Sequence, residues 1–420
     1  VKILVLGAGG REHALAWAFA RAGHEVVACP GNPGIEADAE TIPGDPADPA
    51  AMAALADDLG ADLVVVGPEA PLVAGVVDAV EARGRRAFGP RADGAWLEGS
   101  KAWMKEVVVA AGVPTGRHAS FTVGQEAEAL AYLQDLPGLY VLKTDGLAAG
   151  KGVLVTESLG EAREGLRAYL SGEAFGEAGT TVVVEEGLRG PELSLLVLCD
   201  GERAVPLAPA QDYKRVGDGD AGPNTGGMGA YSPVPLVDDA TVGEVMDRMV
   251  EPTLAELRSR GITYRGILYT GLMLTAEGPR LIEYNVRFGD PEAQVVIPRV
   301  AGDLATHCLE SAEGHLRTDV TWRPEAAVTV ALAAEHYPAS PRTGDPIEGL
   351  DDAAALDDVV VFHAGTRREG DKIVTAGGRV LNVTALGPDV AAARARAYEA
   401  VARISWPGMH HRTDIARGVA

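Results

Sequence analysis

The sequence predicts a multidomain α/β protein that opens on a parallel sheet, and three observations predict it. Residues 2–6 (KILVL), 25–29 (EVVAC) and 62–66 (DLVVV) are Val-, Ile- and Leu-rich runs separated by Ala-rich stretches of helical spacing, the pattern of a βαβαβ unit. After Gly99 the spacing changes to a mixture of short helices and strands, and from Ala326 it changes again to strands and turns such as DKIVTAGGRVLNVT. At 420 residues, 47% apolar and 23% charged, the chain is long enough for several cores and too apolar for disorder. Domain boundaries are placed near 100 and 325.

Each early strand ends in a Gly or Pro loop: GAGGREH at 7–13, PGNPG at 30–34, GPEAPL at 67–72. Ligands of open α/β sheets bind at those carboxyl ends. A dinucleotide fingerprint fails here: Gly7 and Gly9 open a helix, but the third glycine is replaced by Glu12, and Cys29-Pro30 stands where an acid is expected. GSKAWMKEVVVAAGVPT reads as a helix ending at Gly112, with Lys101 and Lys105 on one face. A strand over 119–122, a helix over 125–134, strands over 140–143 and 153–156, a helix over 159–170 and a strand over 180–185 make a small α+β lobe. From Glu192 to Asn285 strands dominate, interrupted by a long glycine loop and a helix at about 238–260.

The net charge of −23 disfavours nucleic acid and anionic membrane as partners, since both need a basic face. Small anions remain possible ligands of a locally cationic cleft. Only seven of the 37 cations are lysines, and Lys101, Lys105, Lys143, Lys151 and Lys214 fall together beside glycine-rich loops, where compact ammonium groups suit phosphate. No apolar run approaches the roughly 18 residues of a membrane span. The chain starts directly as a strand, without a basic region and cleavage site, so no secretory signal is expected. Cys29, Cys199 and Cys308 are scattered without metal-ligand spacing, and a cytoplasmic protein is expected.

Three stretches carry chemistry. KTDGLAAGKGV (143–153) differs from the standard phosphate loop by one residue and by Gly152 in place of a hydroxyl. It reads as strand, glycine turn and strand, whose bare N–H groups wrap phosphate oxygens while Lys143 and Lys151 add charge. VVVEEGLRGPELSLL puts Glu185 at a strand end and Glu192 at the next strand's start, across a linker whose backbone suits an adenine edge. LIEYNVRFGDPEAQ places Glu283 and Asn285 on one strand face, two hard oxygens of the kind Mg²⁺ takes beside phosphates. Arg287, Asp290 and Glu292 follow in a Gly-Pro turn.

With QDYKRVGDGDAGPNTGGMGAYSP (211–233), these stretches resemble the ATP-grasp ligases and, within them, the phosphoribosylamine–glycine ligase family of purine biosynthesis. The resemblance runs over essentially the whole chain. It implies an ATP-grasp domain over 101–325 with a mobile lid lobe at about 119–188, between a Rossmann-like domain (1–100) and a small β-rich domain (326–420). It implies that Lys143 and Lys101 or Lys105 bind ATP phosphates, that Gly150, Lys151 and Gly152 close over them, and that Glu185 and Leu188 hold adenine, with Glu192 on the ribose. Glu283 and Asn285 would hold Mg²⁺, or Mn²⁺. The strand 267–274 lacks the further acidic ligand that many ATP-grasp enzymes carry. Arg287, Asp212 and Asp290 would be catalytic. Glycine and 5-phosphoribosylamine are the implied substrates, and a monomer is expected. The acceptor site is expected at Gly9, Gly10, Glu69, Asn224, Thr225, Gly226, Gly227, Met228 and Gly229, with Arg379 reaching over the cleft. The rival readings are a carboxylase of the same fold, a non-catalytic nucleotide sensor and, weakest, a NAD oxidoreductase.

Overall fold

The computed structural model describes residues 1–146, 152–171 and 181–419. Residues 1–100, the first of the three regions expected from the sequence, carry a five-stranded parallel sheet in the order Glu40–Thr41, Glu25–Pro30, Lys2–Gly7, Leu63–Val66, Ala87–Phe88. Ile3, Leu4, Val5 and Leu6 are fully buried, as central parallel strands covered by helices on both faces must be. The helix Pro49–Leu59 shows how local sequence punctuates the sheet. The Asp48 side chain accepts from Ala51 N, Pro49 opens the first turn, and Gly60 closes the helix at φ 63°.

The helix Lys101–Ala110 starts at Ser100, whose Oγ accepts from Trp103 N at 3.1 Å. The lobe that follows is a four-stranded antiparallel sheet in the order His118–Thr122, Thr181–Glu186, Tyr140–Thr144, Val153–Thr156. Helices Glu126–Gln134 and Leu159–Leu170 cover one face of it. It has its own core of Phe121, Leu133, Leu142, Leu166, Val182 and Val184, separate from the two larger cores of the molecule.

A second antiparallel sheet runs Ala204–Pro206, Glu192–Asp200, Arg265–Thr275, Gly278–Asn285. The expected long helix near 238–260 is Asp239–Val245 and Glu251–Ser259 joined by a π-helical turn over Met246–Val250. The last sheet crosses the boundary drawn at 325: Gln211–Asp212 and Gly229–Ser232 pair in sequence with Ala326–Ala333, Arg379–Gly387 and Val359–His363. The region after 325 therefore completes its sheet with strands from before it. No helix among the described residues is long and apolar enough to cross a membrane, and the three cysteines are buried and unbridged.

Candidate active site

The regions 1–100, 101–325 and 326 onward all meet at one cleft of about 940 Å³. Its apolar lining, including Leu139, Val141, Val153, Leu188, Met273 and Ile282, comes from the lobe, the 187–188 linker and the flanking strands. The opposite end is polar, built from Gly9, Glu69, Arg287, Asp290, the 224–226 loop, Gly378 and Arg379.

Between these ends lies a buried charge cluster. Strands Tyr140–Thr144 and Thr181–Glu186 are antiparallel neighbours with Val141 opposite Glu185, so Lys143 and Glu185 emerge on one face of the lobe. Glu185 Oε1 is 3.1 Å from Lys143 Nζ, and Oε2 is 2.7 Å from Lys105 Nζ. Lys105 also donates to Thr115 Oγ1 at 3.0 Å, and all three charged side chains are buried. Burial opposes ionisation of Glu185, but Lys143 and Lys105 outweigh it and hold the carboxyl below its ordinary range. Burial likewise opposes the Lys143 charge, and Glu185 with Glu283 outweighs it. Two ammonium groups thus share one carboxylate. The second negative charge that a buried ammonium requires comes from Glu283, beside Lys143.

Glu283 and Asn285 end the strand Gly278–Asn285 and line the cleft on one face, while Tyr284 between them turns into the core. Burial alone would raise the Glu283 pKa; Lys143, Lys214 and Lys101 together hold it below the usual carboxylate value. Among the described residues no three His, Cys, Asp or Glu side chains form a metal cluster. An oxygen pair lining the cleft beside lysines fits Mg²⁺, which keeps waters and completes its shell with substrate phosphates. The donor set offers no soft ligand, and the acids lining the cleft outnumber its cations among the described residues, so a polyphosphate needs added positive charge there.

At the polar end Arg287 is held by Glu98 at 2.9 Å and Glu69 at 3.5 Å, and it also donates to Phe288 O. Arg379, the first residue of strand Arg379–Gly387, does reach the cleft. Its Nη1 donates to Gly226 O (2.7 Å), Gly227 O (3.2 Å) and Asp290 O (2.8 Å), and Nη2 lies 3.4 Å from Asp290 Oδ1. Gly227, at φ 113°, packs where a Cβ would stand 2.4 Å from Pro291 Cδ, so the loop and the 290–291 turn fit only without a side chain. Asp212 lies in the cleft beside Lys214, Glu192 and Glu292. Burial chiefly, then Glu292 and Glu192 against the opposing Lys214, push its carboxyl up to about 7.

Some expected residues stand elsewhere. Lys105 does not line the cleft, because Glu185 and Thr115 hold it behind the cluster, and Lys101 is the cleft-facing lysine of the helix, donating to Gly146 O at 2.7 Å. The Glu185 carboxylate is occupied by lysines, whereas the Leu188 N–H has no backbone partner among the described residues and is a free donor at the linker. Glu192 is paired with Lys214 at 2.6 Å. Gly10 packs against Gln294 and Asn382 at a contact between segments, and Met228 and Gly229 are committed to the sheet core, Met228 donating to Tyr213 O. Gly227 serves as an Arg379 acceptor rather than as lining. Gly150 and Lys151 lie outside the described residues; Gly152 lines the cleft.

The failed dinucleotide fingerprint has a physical cause. Glu12 folds back to accept from Gly9 N at 2.6 Å and from Arg11 Nε at 2.5 Å. A Cβ on Gly7 would stand 2.6 Å from Glu12 Cγ, and one on Gly67 2.2 Å from Glu12 Oε1. A carboxylate therefore occupies the crevice between the first and fourth strands where a pyrophosphate would sit. Sequence reasoning missed Glu98, Tyr337 and Arg11, all in the cleft; Glu292, which it singled out in the Gly-Pro turn, lines the cleft too. Lys214 belonged to the recognised lysine group and had a signal; Tyr337, whose hydroxyl accepts from Gly226 N at 3.0 Å, comes from a segment without one.

Comparison with known proteins matches this architecture in order. Phosphoribosylglycinamide synthetase family models cover the N domain at residues 1–98, the ATP-grasp (A) domain at 99–293 and the C domain at 327–418. The phosphoribosylamine–glycine ligase of Streptomyces coelicolor is 52% identical over the whole of both chains. That of Brucella melitensis is 48% identical over 99% of this chain and 97% of its own. The crystal structure of the Thermotoga maritima phosphoribosylamine–glycine ligase superposes with a TM-score of 0.87 at 35% identity, covering 99% of this chain and all of that one. A biotin carboxylase domain from Hydrogenobacter thermophilus, solved with MgADP and bicarbonate, shares the fold at a TM-score of 0.73 and 20% identity over 98% of this chain and 91% of its own. With its three segments matched in order and its cleft assembled where they meet, this chain belongs to the phosphoribosylglycinamide synthetase family.

Proposed function

We propose that the protein joins glycine to 5-phosphoribosylamine with cleavage of ATP to ADP and phosphate, giving glycinamide ribonucleotide through glycyl phosphate. The observation that carries this reading is the buried pair of lysines, Lys143 and Lys105, held on Glu185 beside the Glu283 and Asn285 oxygens. A glycine carboxylate would have to expel oxide to acylate an amine, so it must first be phosphorylated. The protein's part is to position the groups and stabilise phosphoryl charge.

The apolar end takes the adenine, with the Leu188 N–H on a ring nitrogen, and Lys143 and Lys101 meet the phosphates. Glu283 and Asn285 would hold Mg²⁺, which supplies charge neutralisation at the transferring phosphoryl group. Arg287, pinned between Glu98 and Glu69, presents a fixed guanidinium to the glycine carboxylate and its acyl phosphate. Arg379 and the 224–226 loop face the acceptor's phosphate. Closing the lobe, with its separate core, excludes water that would hydrolyse glycyl phosphate. Asp212 takes the proton that the attacking amine must lose, and Lys214 beside it stays charged. ADP release in a coupled assay, omitting glycine and freshly generated phosphoribosylamine in turn, tests the reaction. Release driven by bicarbonate and biotin without glycine would make it a carboxylase.

Two predictions follow from the polar end. Because Asp212 acts as a base only when ionised and its carboxyl is pushed up to about 7, kcat/KM for the acceptor should rise with pH through about 7 and level off. Asp212→Asn should lower the plateau about 10²-fold and remove that limb; an unchanged profile would exclude Asp212 as the base. Arg379→Ala should raise KM for phosphoribosylamine by roughly 10- to 100-fold, the loss of one charged hydrogen bond, with KM for ATP nearly constant. Equal acceptor KM values in the two enzymes would remove Arg379 from the acceptor site.

A further inference from the structure

Between Lys214 and Asn224, both in the cleft, the chain leaves the body of the protein as a hairpin of Arg215–Gly217 and Ala221–Asn224. These strands pair only with each other among the described residues, and an isolated two-stranded hairpin is at best marginal in water. Thr225 returns to Lys214, donating N–H and Oγ1 to its carbonyl at 2.7 and 2.8 Å. The hairpin's placement is thus passed directly to Lys214 and Thr225.

What holds the hairpin is the segment 410–416, none of which lines the cleft. Arg412, with its side chain 1% exposed, is the centre. Its Nε and Nη2 grip Asp414 at 2.7 Å each, and its Nη1 reaches Asp220 Oδ1 at 2.7 Å and Arg215 O at 3.2 Å. The guanidinium lies 4.9 Å from the Tyr213 ring centroid, one residue before Lys214. Around it, His410 Nε2 lies 2.7 Å from Val216 O, Gly219 N donates to Asp414, Thr413 N donates to Asp218, and Ala416 N donates to Tyr213 OH. Arg394 ties the outer side, donating to the Thr413 and Ile415 carbonyls. A buried planar fork satisfied on all three nitrogens fixes direction as well as distance.

We propose that Arg412 is a positioning residue for the ligase reaction: through the 410–416 strap it sets the hairpin, and through the hairpin it sets Lys214 and the 224–226 loop against the acceptor. The inference rests on the reaction proposed above. It assigns no contact with substrate to Arg412.

The test measures amide hydrogen exchange and kinetics on the same full-length preparations of wild type, Arg412→Met and the milder Asp414→Asn. In Arg412→Met the amides of 215–225 should exchange at least tenfold faster while those of the parallel sheet stay unchanged. kcat/KM for phosphoribosylamine should fall at least tenfold, and ADP affinity, which depends on the other end of the cleft, should stay within twofold. Asp414→Asn should shift the same quantities by less, and it decides the matter if Arg412→Met does not fold. Faster hairpin exchange with unchanged kinetics, or ADP affinity falling in step with kcat/KM, would overturn the proposal by making the strap merely structural. Wild type that makes no ADP from glycine and phosphoribosylamine would instead sink the ligase reading, and hairpin exchange would then decide the strap's hold by itself.

Discussion

Lys143→Met should lower kcat by about 10²–10³-fold, the cost of removing one fixed donor from developing phosphoryl charge. The same substitution leaves Glu185 buried with Lys105 as its one remaining partner, so a loss of stability comes with it. Breaking a buried ion pair by deleting one partner costs about 3–5 kcal/mol, and the surviving Lys105 contact at 2.7 Å reduces that. The triple variant Lys143→Met, Lys105→Met, Glu185→Gln separates the two effects. It leaves none of the three buried charges unpaired and should recover much of the lost melting temperature without recovering turnover. Melting curves and ADP release on both variants check this. A triple variant that regains both stability and turnover would show that the cluster holds the lobe together and does not meet phosphate.

Glu283→Gln should also lower kcat by about 10²-fold or more, and should raise the Mg²⁺ concentration for half-maximal rate at least about tenfold, equivalent to ~1.4 kcal/mol of metal affinity. Asn285→Ala should act in the same direction with a smaller metal shift, since it loses a neutral ligand. A further consequence separates metal loss from general damage. The Glu283 carboxylate is surrounded by Lys143, Lys214 and Lys101, so neutralising it makes the cleft more positive. Metal-free ATP should then bind Glu283→Gln at least as tightly as wild type, although turnover is lost. Weaker metal-free ATP binding, or an unchanged Mg²⁺ requirement in both variants, would remove these residues from the metal site.

The parallel sheet, the lobe's helices and strands, and the face shared by Glu283 and Asn285 were legible because each depends on short-range periodicity. Alternation places 283 and 285 together whatever the rest of the chain does. The family's ordered motifs were legible in the same way, as local chemistry repeated in sequence. Partnership was not, because it depends on which distant side chains meet. Lys101 and Lys105 lie on one helix, yet Lys101 faces the cleft while Glu185 and Thr115 draw Lys105 behind it. Only packing of the lobe onto that helix decides this. Glu12 could be read as a missing glycine; that its carboxylate fills the crevice depends on Gly67, brought beside it by the pairing of the first and fourth strands. The boundary at 325 followed a real change of spacing, but two strands from before it complete the sheet after it, because a sheet edge takes hydrogen bonds from any strand in reach. Sequence determined which residues had the chemistry to meet phosphate and metal. Tertiary structure decided which of them remain free to do so, because a buried charge must find a partner and the nearest one is set by the fold.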